Sequence, residues 1–279
     1  MTYTPQQIAD RLLKAERVWL FLDYDGTLDE FAPTPDHILP NPEVIELVTH
    51  LAQLQHICVA VISGRRLSQI QVLLPVPGIL LAGTYGIEML LPNGERMDRI
   101  ELDLVRPALD NLKPRWMQLI ANRYDFFLED KAWTLALHAR FAEASEADEV
   151  LSIARRLASE VMRSDLFRIL DGHRFLEIGP ILAHKGRMVD YLLDRYAWPG
   201  AVPIYIGDDD KDEEAFAAIK ARHGLAIVVA AQPRKTLADS RLESPASVRQ
   251  WLNEIITAPN RFYCIRSMDN TAFFENGGK

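Results

Sequence analysis

Five short apolar runs are spaced along the chain, and helical patterns separate most of them. The runs are VWLFL (18–22), ICVAVI (57–62), ILLAG (79–83), PIYIG (203–207) and LAIVVA (225–230). Near-continuous Val, Ile and Leu stretches of this length predict strands buried on both faces, as in a parallel sheet. NPEVIELVTHLAQLQ has apolar residues at helix spacing after an Asn-Pro start, and DEEAFAAIKARHG predicts a helix that ends at Gly224. Alternating strands and helices predict a doubly wound, Rossmann-like α/β core.

The pattern changes between about Thr84 and Ile181. IEMLLPNGERM predicts a hairpin that turns at Asn93-Gly94. A helix near 104–122, the strand-like runs FFLED and WTLALHAR, a helix from about 146 to 163 and two further strands follow it. This β-β-α-β-β-α-β-β order predicts a smaller α+β unit inserted into the core.

Length and composition fit two domains. The chain has 279 residues, of which 48% are apolar and 25% are charged, as in ordinary soluble globular proteins. The predicted division is a core at 1–83 and 182–258, an inserted cap at 84–181 that selects the substrate, and an unassigned segment at 259–279.

Charge and cysteine usage narrow the expected partners and compartment. A net charge of −8 without a dense Lys/Arg block gives no reason to expect nucleic acid or an anionic membrane as partner, so we expect a small molecule. Two cysteines, Cys58 and Cys264, offer neither a disulfide framework nor a zinc cluster. The N-terminal stretch lacks the apolar core of a secretory signal, and no run approaches the roughly 18 apolar residues that span a bilayer. We therefore expect a soluble, cytoplasmic protein.

Polar residues directly follow four of the apolar runs. These segments are Asp23-Tyr24-Asp25-Gly26-Thr27, Ser63-Gly64-Arg65, Gly83-Thr84-Tyr85-Gly86 and Asp208-Asp209-Asp210-Lys211-Asp212-Glu213. Ligands of an open α/β sheet bind outside the carboxyl ends of its strands, so these side chains are expected at one edge. Clustered carboxylates raise their own pKa values unless a cation neutralises them. Mg²⁺, which binds carboxylate and phosphate oxygens, is the expected ion, and it points to phosphoryl chemistry.

The same segments contain the groups that phosphoryl transfer needs. One of Asp23 and Asp25 can attack phosphorus, while the other protonates a leaving alcohol and then activates water. Gly64 lets backbone N–H groups approach phosphate oxygens, and Ser63 adds a hydroxyl donor. Lys185, just before a predicted helix, can balance the charge of the phosphoryl group. The simpler interpretation of Asp-Gly is a turn, since both residues favour turns.

Taken in order, DYDGT, SGR, KG and GDDDKDE resemble the four motifs of the haloacid dehalogenase-like phosphatases. The catalytic residues that the resemblance implies are Asp23 as the nucleophile that becomes an aspartyl phosphate, Asp25 as general acid and base, and Ser63 and Lys185 as holders of the phosphoryl oxygens. The implied Mg²⁺ ligands are the side chains of Asp23 and Asp208 and the main-chain carbonyl of Asp25, supported by Asp209 and Asp212.

Within that group the chain is most similar to the trehalose-6-phosphate phosphatases. The similar segments are FLDYDGTL, VISGR, LAGTYGIE, LEDKAWTLALHAR, LEIGPILAHKG and YIGDDDKDEEAF. The implied substrate-binding residues are Gly64, Arg65, Glu129, Lys131, His138, Arg140 and Glu177. The chain departs from the family at Tyr85 and Lys211, where His and Thr are common, and neither departure changes the implied nucleophile, acid or metal ligands.

The resemblance implies Mg²⁺-dependent hydrolysis of a phosphorylated disaccharide, first of all trehalose 6-phosphate. The alternatives are a phosphatase for sucrose, glucosylglycerol or mannosylglycerate phosphate, a phosphomutase, and a non-catalytic module that binds sugar phosphates. The cap residues also have plainer interpretations. Glu129 and Lys131 fit a solvated charged turn. His138 and Arg140 fit the wet face of a strand, and Glu177 fits a hinge.

Overall fold

The computed structural model describes residues 3–31, 39–161, 165–172 and 174–257. The helices are α1 (Pro5–Leu12), α2 (Pro42–Gln53), α3 (Leu67–Leu73), α4 (Leu102–Leu119), α5 (Ala144–Val161), α6 (Lys185–Arg195), α7 (Asp212–Ala221) and α8 (Pro245–Thr257). The strands are β1 (Arg17–Leu22), β2 (Ile57–Ile62), β3 (Leu80–Gly83), β4 (Glu88–Leu90), β5 (Arg96–Asp98), β6 (Phe127–Asp130), β7 (Leu135–His138), β8 (Phe167–Gly172), β9 (Phe175–Pro180), β10 (Ala201–Gly207), β11 (Leu225–Val229) and β12 (Ser240–Leu242). The unassigned segment 259–279 lies outside the described residues.

Two compact units divide the chain. The core unit takes the described residues of Met1–Met97 and His184–Lys279, and the inserted unit takes those of Asp98–Ala183. No helix in the described ranges is long and apolar enough to cross a bilayer.

The core unit is built on an eight-stranded sheet in the order β12-β11-β10-β1-β2-β3-β4-β5. The strands from β12 to β3 pair in parallel, and the central β1 aligns Leu20 with Ile204 of β10 and with Val59 of β2. Alternate residues of β1 enter two different apolar clusters: Leu20 packs in one, and Trp19 and Phe21 pack in the other. The sheet is thus buried on both faces, and the predicted doubly wound α/β core is confirmed.

The predicted boundary of the insertion needs correction. The hairpin of β4 and β5, which the sequence assigned to the 84–181 unit, extends the core sheet instead. β4 pairs antiparallel with β3, with Leu81 opposite Leu90, so ladder hydrogen bonds tie it to the core. The units divide at 97/98 and 183/184 because pairing partners, and not the local change of pattern, decide where a strand belongs.

The inserted unit has four antiparallel strands in the order β6-β7-β9-β8. One face of this sheet is covered by α4 and α5. Asp130 of β6 pairs with Arg106 and Lys113 of α4, so side chains on the Asp130 side face the helices. Residues that alternate with them lie on the opposite face, here called the polar face. Glu129 and Glu177 are examples, since both are paired with Ala136 of β7, which lies between them.

Two local predictions are wrong. β7 ends at His138, so Arg140 lies in an exposed turn and does not continue the strand face of His138. The helix α7 ends at Ala221, and the left-handed position after it is His223, with φ of 58°. Gly224 donates its N–H to Ile219 at 2.9 Å, which completes the helix end one residue after His223.

Candidate active site

The carboxyl ends of β1 and β10 bring distant aspartates together. The Asp23 N–H donates to the Ile206 carbonyl at 2.9 Å, which places Asp23 beside the end of β10. Asp208 follows the end of β10 directly. Carboxylate oxygens of Asp23, Asp208 and Asp212 lie within 4.8 Å of one another, a spacing at which they could share a metal ion.

Lys185 lies between two of these carboxylates, and all three side chains are almost fully buried. Its Nζ is 2.8 Å from Asp23 Oδ1 and 2.6 Å from Asp212 Oδ1. Burial alone would lower the pKa of Lys185, but Asp212 and Asp23 outweigh that effect and raise the pKa well above its usual value. Lys185 is therefore held as a cation beside the predicted nucleophile.

Asp212 positions the other members of the cluster. Its Oδ1 accepts hydrogen bonds from Lys185 and, at 2.7 Å, from the Tyr205 hydroxyl. Its Oδ2 accepts the backbone N–H groups of Asp208 and Asp209, both at 3.0 Å. Because each oxygen already accepts two hydrogen bonds, Asp212 is suited to hold Lys185 and the Asp208–Asp209 backbone in place and not to bind a metal ion directly.

The cluster has more negative charge than its own cations balance, which fits a divalent metal. Burial raises the pKa of Asp23 well above its usual value, and Asp212, Asp208 and Asp209 add to the rise although Lys185 opposes it. Burial, with Asp212 and Asp209, raises the pKa of Asp208 to about 7. A bound cation would remove this penalty.

The backbone at Gly26 leaves room beside Asp208. Gly26 has a left-handed φ of 76°, and a Cβ there would lie 2.5 Å from Asp208 Oδ2. The Thr27 hydroxyl donates to Asp208 Oδ1 at 3.3 Å. Asp23 and Asp208 are thus the carboxylates that fit a hard cation such as Mg²⁺, which commonly takes one or two carboxylates.

Asp209 shapes the loop that starts α7. Its Oδ1 accepts the N–H of Lys211 at 2.7 Å and that of Asp212 at 3.1 Å. Burial would raise the pKa of Asp209, but Lys185 and Lys211 outweigh it and the pKa falls to about 2. Lys211, where the family commonly has Thr, adds an ion pair to Asp209 Oδ2 at 3.2 Å.

Arg234 is a member of this site that the sequence did not reveal. It donates to the Asp208 carbonyl at 2.7 Å and to Asp210 at 2.6 Å, and it lies 3.4 Å from Glu213. The acidic loop is therefore held by a cation from a segment between β11 and β12. A single Arg in AAQPRKTL has no spacing or strand context that would have identified it.

Asp25, the predicted acid, is bound by Arg65. The guanidinium makes two hydrogen bonds, from Nε to Asp25 Oδ2 at 2.6 Å and from an Nη to Asp25 Oδ1 at 2.7 Å. The backbone N–H of Arg65 donates to the Ser63 hydroxyl at 3.1 Å, and Ser63 is buried. The structure thus brings together Asp25, Arg65 and Ser63, and it gives Arg65 a carboxylate partner that the sequence did not indicate.

In the inserted unit, the predicted sugar-binding residues form a cluster on the polar face. Lys131 Nζ is 3.2 Å from Glu177 Oε1 and 3.8 Å from Glu129 Oε2, and His138 Nε2 is 2.9 Å from Glu129 Oε2. The Thr134 hydroxyl also donates to Glu177. Such paired donors and acceptors are the groups that bind a polyhydroxylated ligand.

Burial contradicts the plainer interpretations of these residues. Lys131 is 8% exposed and Glu177 is fully buried within β9, so they form neither a solvated turn nor a hinge cap. His138 stacks on Phe127 with ring centres 4.1 Å apart. Arg140 lies in the exposed turn after β7, and among the described residues it makes no contact with this cluster.

Asp130, between Glu129 and Lys131, has a structural role on the opposite face. Burial would raise its pKa, but hydrogen bonds from Arg106 and Lys113 outweigh burial and lower the pKa to about 2. One charged triplet therefore supplies both faces of the sheet, because successive strand residues point in opposite directions.

The parallel core, the aspartates at the ends of β1 and β10 and the inserted α+β unit are the features of a haloacid dehalogenase-like protein. A family model described as Trehalose-phosphatase matches residues 21–246. The chain therefore belongs to the trehalose-phosphatase family.

One relative supports this assignment, and two solved structures share the fold. The chain is 31% identical, over 87% of its length, to a trehalose-phosphate phosphatase of Mycobacterium marinum, and it spans 62% of that relative's length. Its fold is similar to the C-terminal domain of Candida albicans trehalose-6-phosphate phosphatase, with a TM-score of 0.78, 17% identity, and coverage of 91% of this chain and 97% of that one. The C-terminal domain of the C. albicans trehalose synthase regulatory protein is also similar, with a TM-score of 0.73, 13% identity and coverage of 91% and 99%.

Proposed function

We propose that this chain hydrolyses trehalose 6-phosphate to trehalose and inorganic phosphate, with Mg²⁺ and through an aspartyl-phosphate intermediate. The observation that carries the proposal is the buried cluster of Asp23, Lys185, Asp208 and Asp212 at the carboxyl edge of the sheet. Membership of the trehalose-phosphatase family and the name of the M. marinum relative support the choice of substrate.

The metal would be held by the side chains of Asp23 and Asp208 and by the main-chain carbonyl of Asp25. When bound, Mg²⁺ neutralises charge on the phosphoryl oxygens and keeps the nucleophile ionised. Asp212, whose oxygens accept hydrogen bonds from Lys185 and the backbone, holds the ligand loop in place.

In the first step, a carboxylate oxygen of Asp23 attacks phosphorus and the bond from phosphorus to the sugar oxygen breaks. The leaving oxygen takes a proton from Asp25, so trehalose departs as an alcohol and Asp23 carries the phosphoryl group. Lys185, 2.8 Å from Asp23, and Ser63 hold the phosphoryl oxygens. Because Arg65 binds the Asp25 carboxylate in the structure, this step requires that the pair opens.

In the second step, a water molecule attacks the phosphorus of the aspartyl phosphate. Asp25, now a carboxylate, accepts the proton of that water, the acyl phosphate bond breaks, and Asp23 is regenerated as inorganic phosphate leaves. The same residue thus serves as acid and then as base.

The sugar is assigned to the cluster on the polar face of the inserted unit. Glu129, Lys131, His138 and Glu177 supply charged donors and acceptors, which suit the many hydroxyls of a disaccharide. Sites that hydrogen-bond a substrate hydroxyl reject analogues that lack it, so these residues would select among sugar phosphates. Arg140 stays a predicted sugar ligand.

The fold alone does not separate an enzyme from a binding module, since one similar solved domain comes from a regulatory protein. The chemistry of the cluster favours an enzyme. A module that only binds sugar phosphates has no need of a buried lysine between two carboxylates or of an acid two residues after the nucleophile.

Release of inorganic phosphate from a panel of esters tests the proposal. The panel contains trehalose 6-phosphate and the phosphates of sucrose, glucosylglycerol and mannosylglycerate, each assayed with Mg²⁺ and with EDTA. We expect the highest kcat/KM for trehalose 6-phosphate and no turnover in EDTA. Preference for another ester would refute the substrate, and EDTA-resistant turnover would refute the metal.

The variant Asp23→Asn provides the mechanistic control. It removes the attacking carboxylate with little change in shape, so turnover should fall by at least about a thousandfold while the circular dichroism spectrum stays the same. A rate near that of the unaltered chain would exclude the covalent intermediate on Asp23.

A further inference from the structure

A strained turn follows β3 in the core unit. Thr84 and Tyr85 are consecutive non-glycine residues with left-handed φ angles of 48° and 56°. Left-handed backbone is rare for non-glycine residues and is most unfavourable for a β-branched side chain such as Thr. Strain of this kind persists only where the surrounding structure enforces it, and it concentrates at functional sites.

The turn connects two segments to which phosphate binding is assigned. The N–H of Thr84 donates to the Arg65 carbonyl at 2.6 Å, and the N–H of Tyr85 donates to the Ser63 carbonyl at 2.8 Å. On the other side, the N–H of His184, which directly precedes Lys185, donates to the Tyr85 carbonyl at 3.3 Å. The turn is therefore a backbone link between the Ser63–Arg65 loop and the start of α6.

Close packing reinforces the link. A Cβ on Gly64 would lie 2.7 Å from the Tyr85 ring, so the ring lies directly against the loop. A Cβ on Gly86 would lie 2.6 Å from Met188 of α6. The loop and the helix therefore both pack directly against the turn.

A buried carboxylate with no part in the proposed chemistry locks the turn. Glu88 of β4 is 8% exposed, and its Oε2 accepts the Thr84 hydroxyl at 2.7 Å and the Leu67 N–H at 3.2 Å. Arg66 lies 3.5 Å from Oε1. Glu88 thus binds both the strained residue and the first turn of α3, which follows the Ser63–Arg65 loop.

We infer that Glu88 and Thr84 are positioning residues, which lock the strained turn and so set the distance between the Ser63–Arg65 loop and Lys185 for binding of a phosphoryl group. The inference rests on the proposed function for its substrate. It also makes a claim that needs no turnover, because the same groups would bind inorganic phosphate, the product.

The test compares Thr84→Val with Thr84→Ser in the full chain. Valine keeps the shape and β-branching but removes the hydroxyl that Glu88 accepts, whereas serine keeps it. We expect Thr84→Val to raise the Kd of inorganic phosphate, measured by calorimetry with Mg²⁺, and the KM for trehalose 6-phosphate by roughly tenfold, with kcat changed by less than about threefold. Thr84→Ser should return both constants toward those of the unaltered chain.

Two further variants separate positioning from general destabilisation. Val48→Ala removes buried core volume from α2, outside the site, and should lower the melting temperature without raising the Kd of phosphate. Glu88→Met keeps the length of the side chain but removes the oxygen that accepts both the Thr84 hydroxyl and the Leu67 N–H, so it should raise the Kd as Thr84→Val does, and it replaces that variant if valine prevents folding.

The outcomes divide clearly. A raised Kd in Thr84→Val or Glu88→Met, with the Kd of Val48→Ala unchanged, supports the inference even if trehalose 6-phosphate is not hydrolysed, in which case only the proposed function fails. An unchanged Kd in folded Thr84→Val and Glu88→Met overturns it. It is also overturned if Val48→Ala raises the Kd equally, or if the unaltered chain does not bind phosphate.

Discussion

The substitution Asp212→Asn is expected to destabilise the core unit strongly, because this buried carboxylate accepts four hydrogen bonds. The donors are Lys185 Nζ at 2.6 Å, the Tyr205 hydroxyl at 2.7 Å and the backbone N–H groups of Asp208 and Asp209, both at 3.0 Å. Asparagine offers one acceptor oxygen and one NH₂ group in the same space. Whichever way the amide turns, its NH₂ faces two donors.

The magnitude follows from what remains unpaired. Breaking a buried ion pair by removing one partner costs about 3–5 kcal/mol. Lys185 retains Asp23 at 2.8 Å, which favours the lower end of that range, about 3 kcal/mol. Since a whole domain is stable by only about 5–15 kcal/mol, this one substitution should remove a large share of the stability.

Urea unfolding followed by circular dichroism measures the effect. The matched control is Asp210→Asn, in the same loop, whose side chain is 85% exposed although it lies 2.6 Å from Arg234. Exposed ion pairs contribute little, so the control should change the free energy of unfolding by less than about 1 kcal/mol. The reasoning is refuted if Asp212→Asn also costs less than about 1 kcal/mol, or if both substitutions cost the same.

Three further predictions concern metal binding and pH. Mg²⁺ at a hundred times its Kd should stabilise the unaltered chain by about 2.7 kcal/mol but should not stabilise Asp208→Asn, and equal melting-temperature shifts would contradict the assignment. Because the metal-free pKa of Asp208 is about 7, Mg²⁺ must displace a proton below that pH, so its apparent affinity should rise by up to about tenfold per unit from pH 5 to 7 in calorimetry. In the inserted unit, Arg106 and Lys113 lower the pKa of Asp130 to about 2. The ion pairs of Asp130 therefore stabilise the fold fully above the unfolded pKa of 3.8, and this stabilisation is lost as the pH falls toward 2. The stability difference between the unaltered chain and Asp130→Asn, measured by chemical unfolding, should therefore shrink from pH 5 to pH 3, and a constant difference would exclude this ion-pair cluster as its cause.

Local patterns predicted the strands that position the candidate site residues. Apolar runs ended at Leu22 and Gly207, and the residues after them, Asp23 and Asp208, meet in the structure because β1 and β10 are parallel neighbours. Parallel strands place their carboxyl ends at one edge of the sheet, so this part of the site was predictable from the polar segments that follow the apolar runs. The α+β order of the insertion was predictable for the same reason, since each element depends on its own periodicity.

Partners that approach from elsewhere in the chain were not predictable. Arg234 binds the Asp208 carbonyl, and Arg65 binds Asp25, although no periodic pattern links these pairs. Glu88 follows a turn with two glycines, and its sequence context indicates only a polar residue of a strand. In the structure it is buried against Thr84 and the start of α3. The helices α1, α3 and α8 were not predicted either.

The sequence by itself determined the apolar runs that form the core strands, the order of strands and helices that buries both faces of the core sheet, and the acidic, hydroxyl and lysine residues at strand and helix ends. Only the tertiary structure decided that β4 and β5 join the core sheet, that Asp212 accepts a hydrogen bond from Lys185, and that two left-handed residues join the Ser63–Arg65 loop to α6. The physical reason is that propensity and periodicity act over a few neighbouring residues, whereas ion pairs, strand pairing and backbone strain depend on groups that folding brings together from distant parts of the chain.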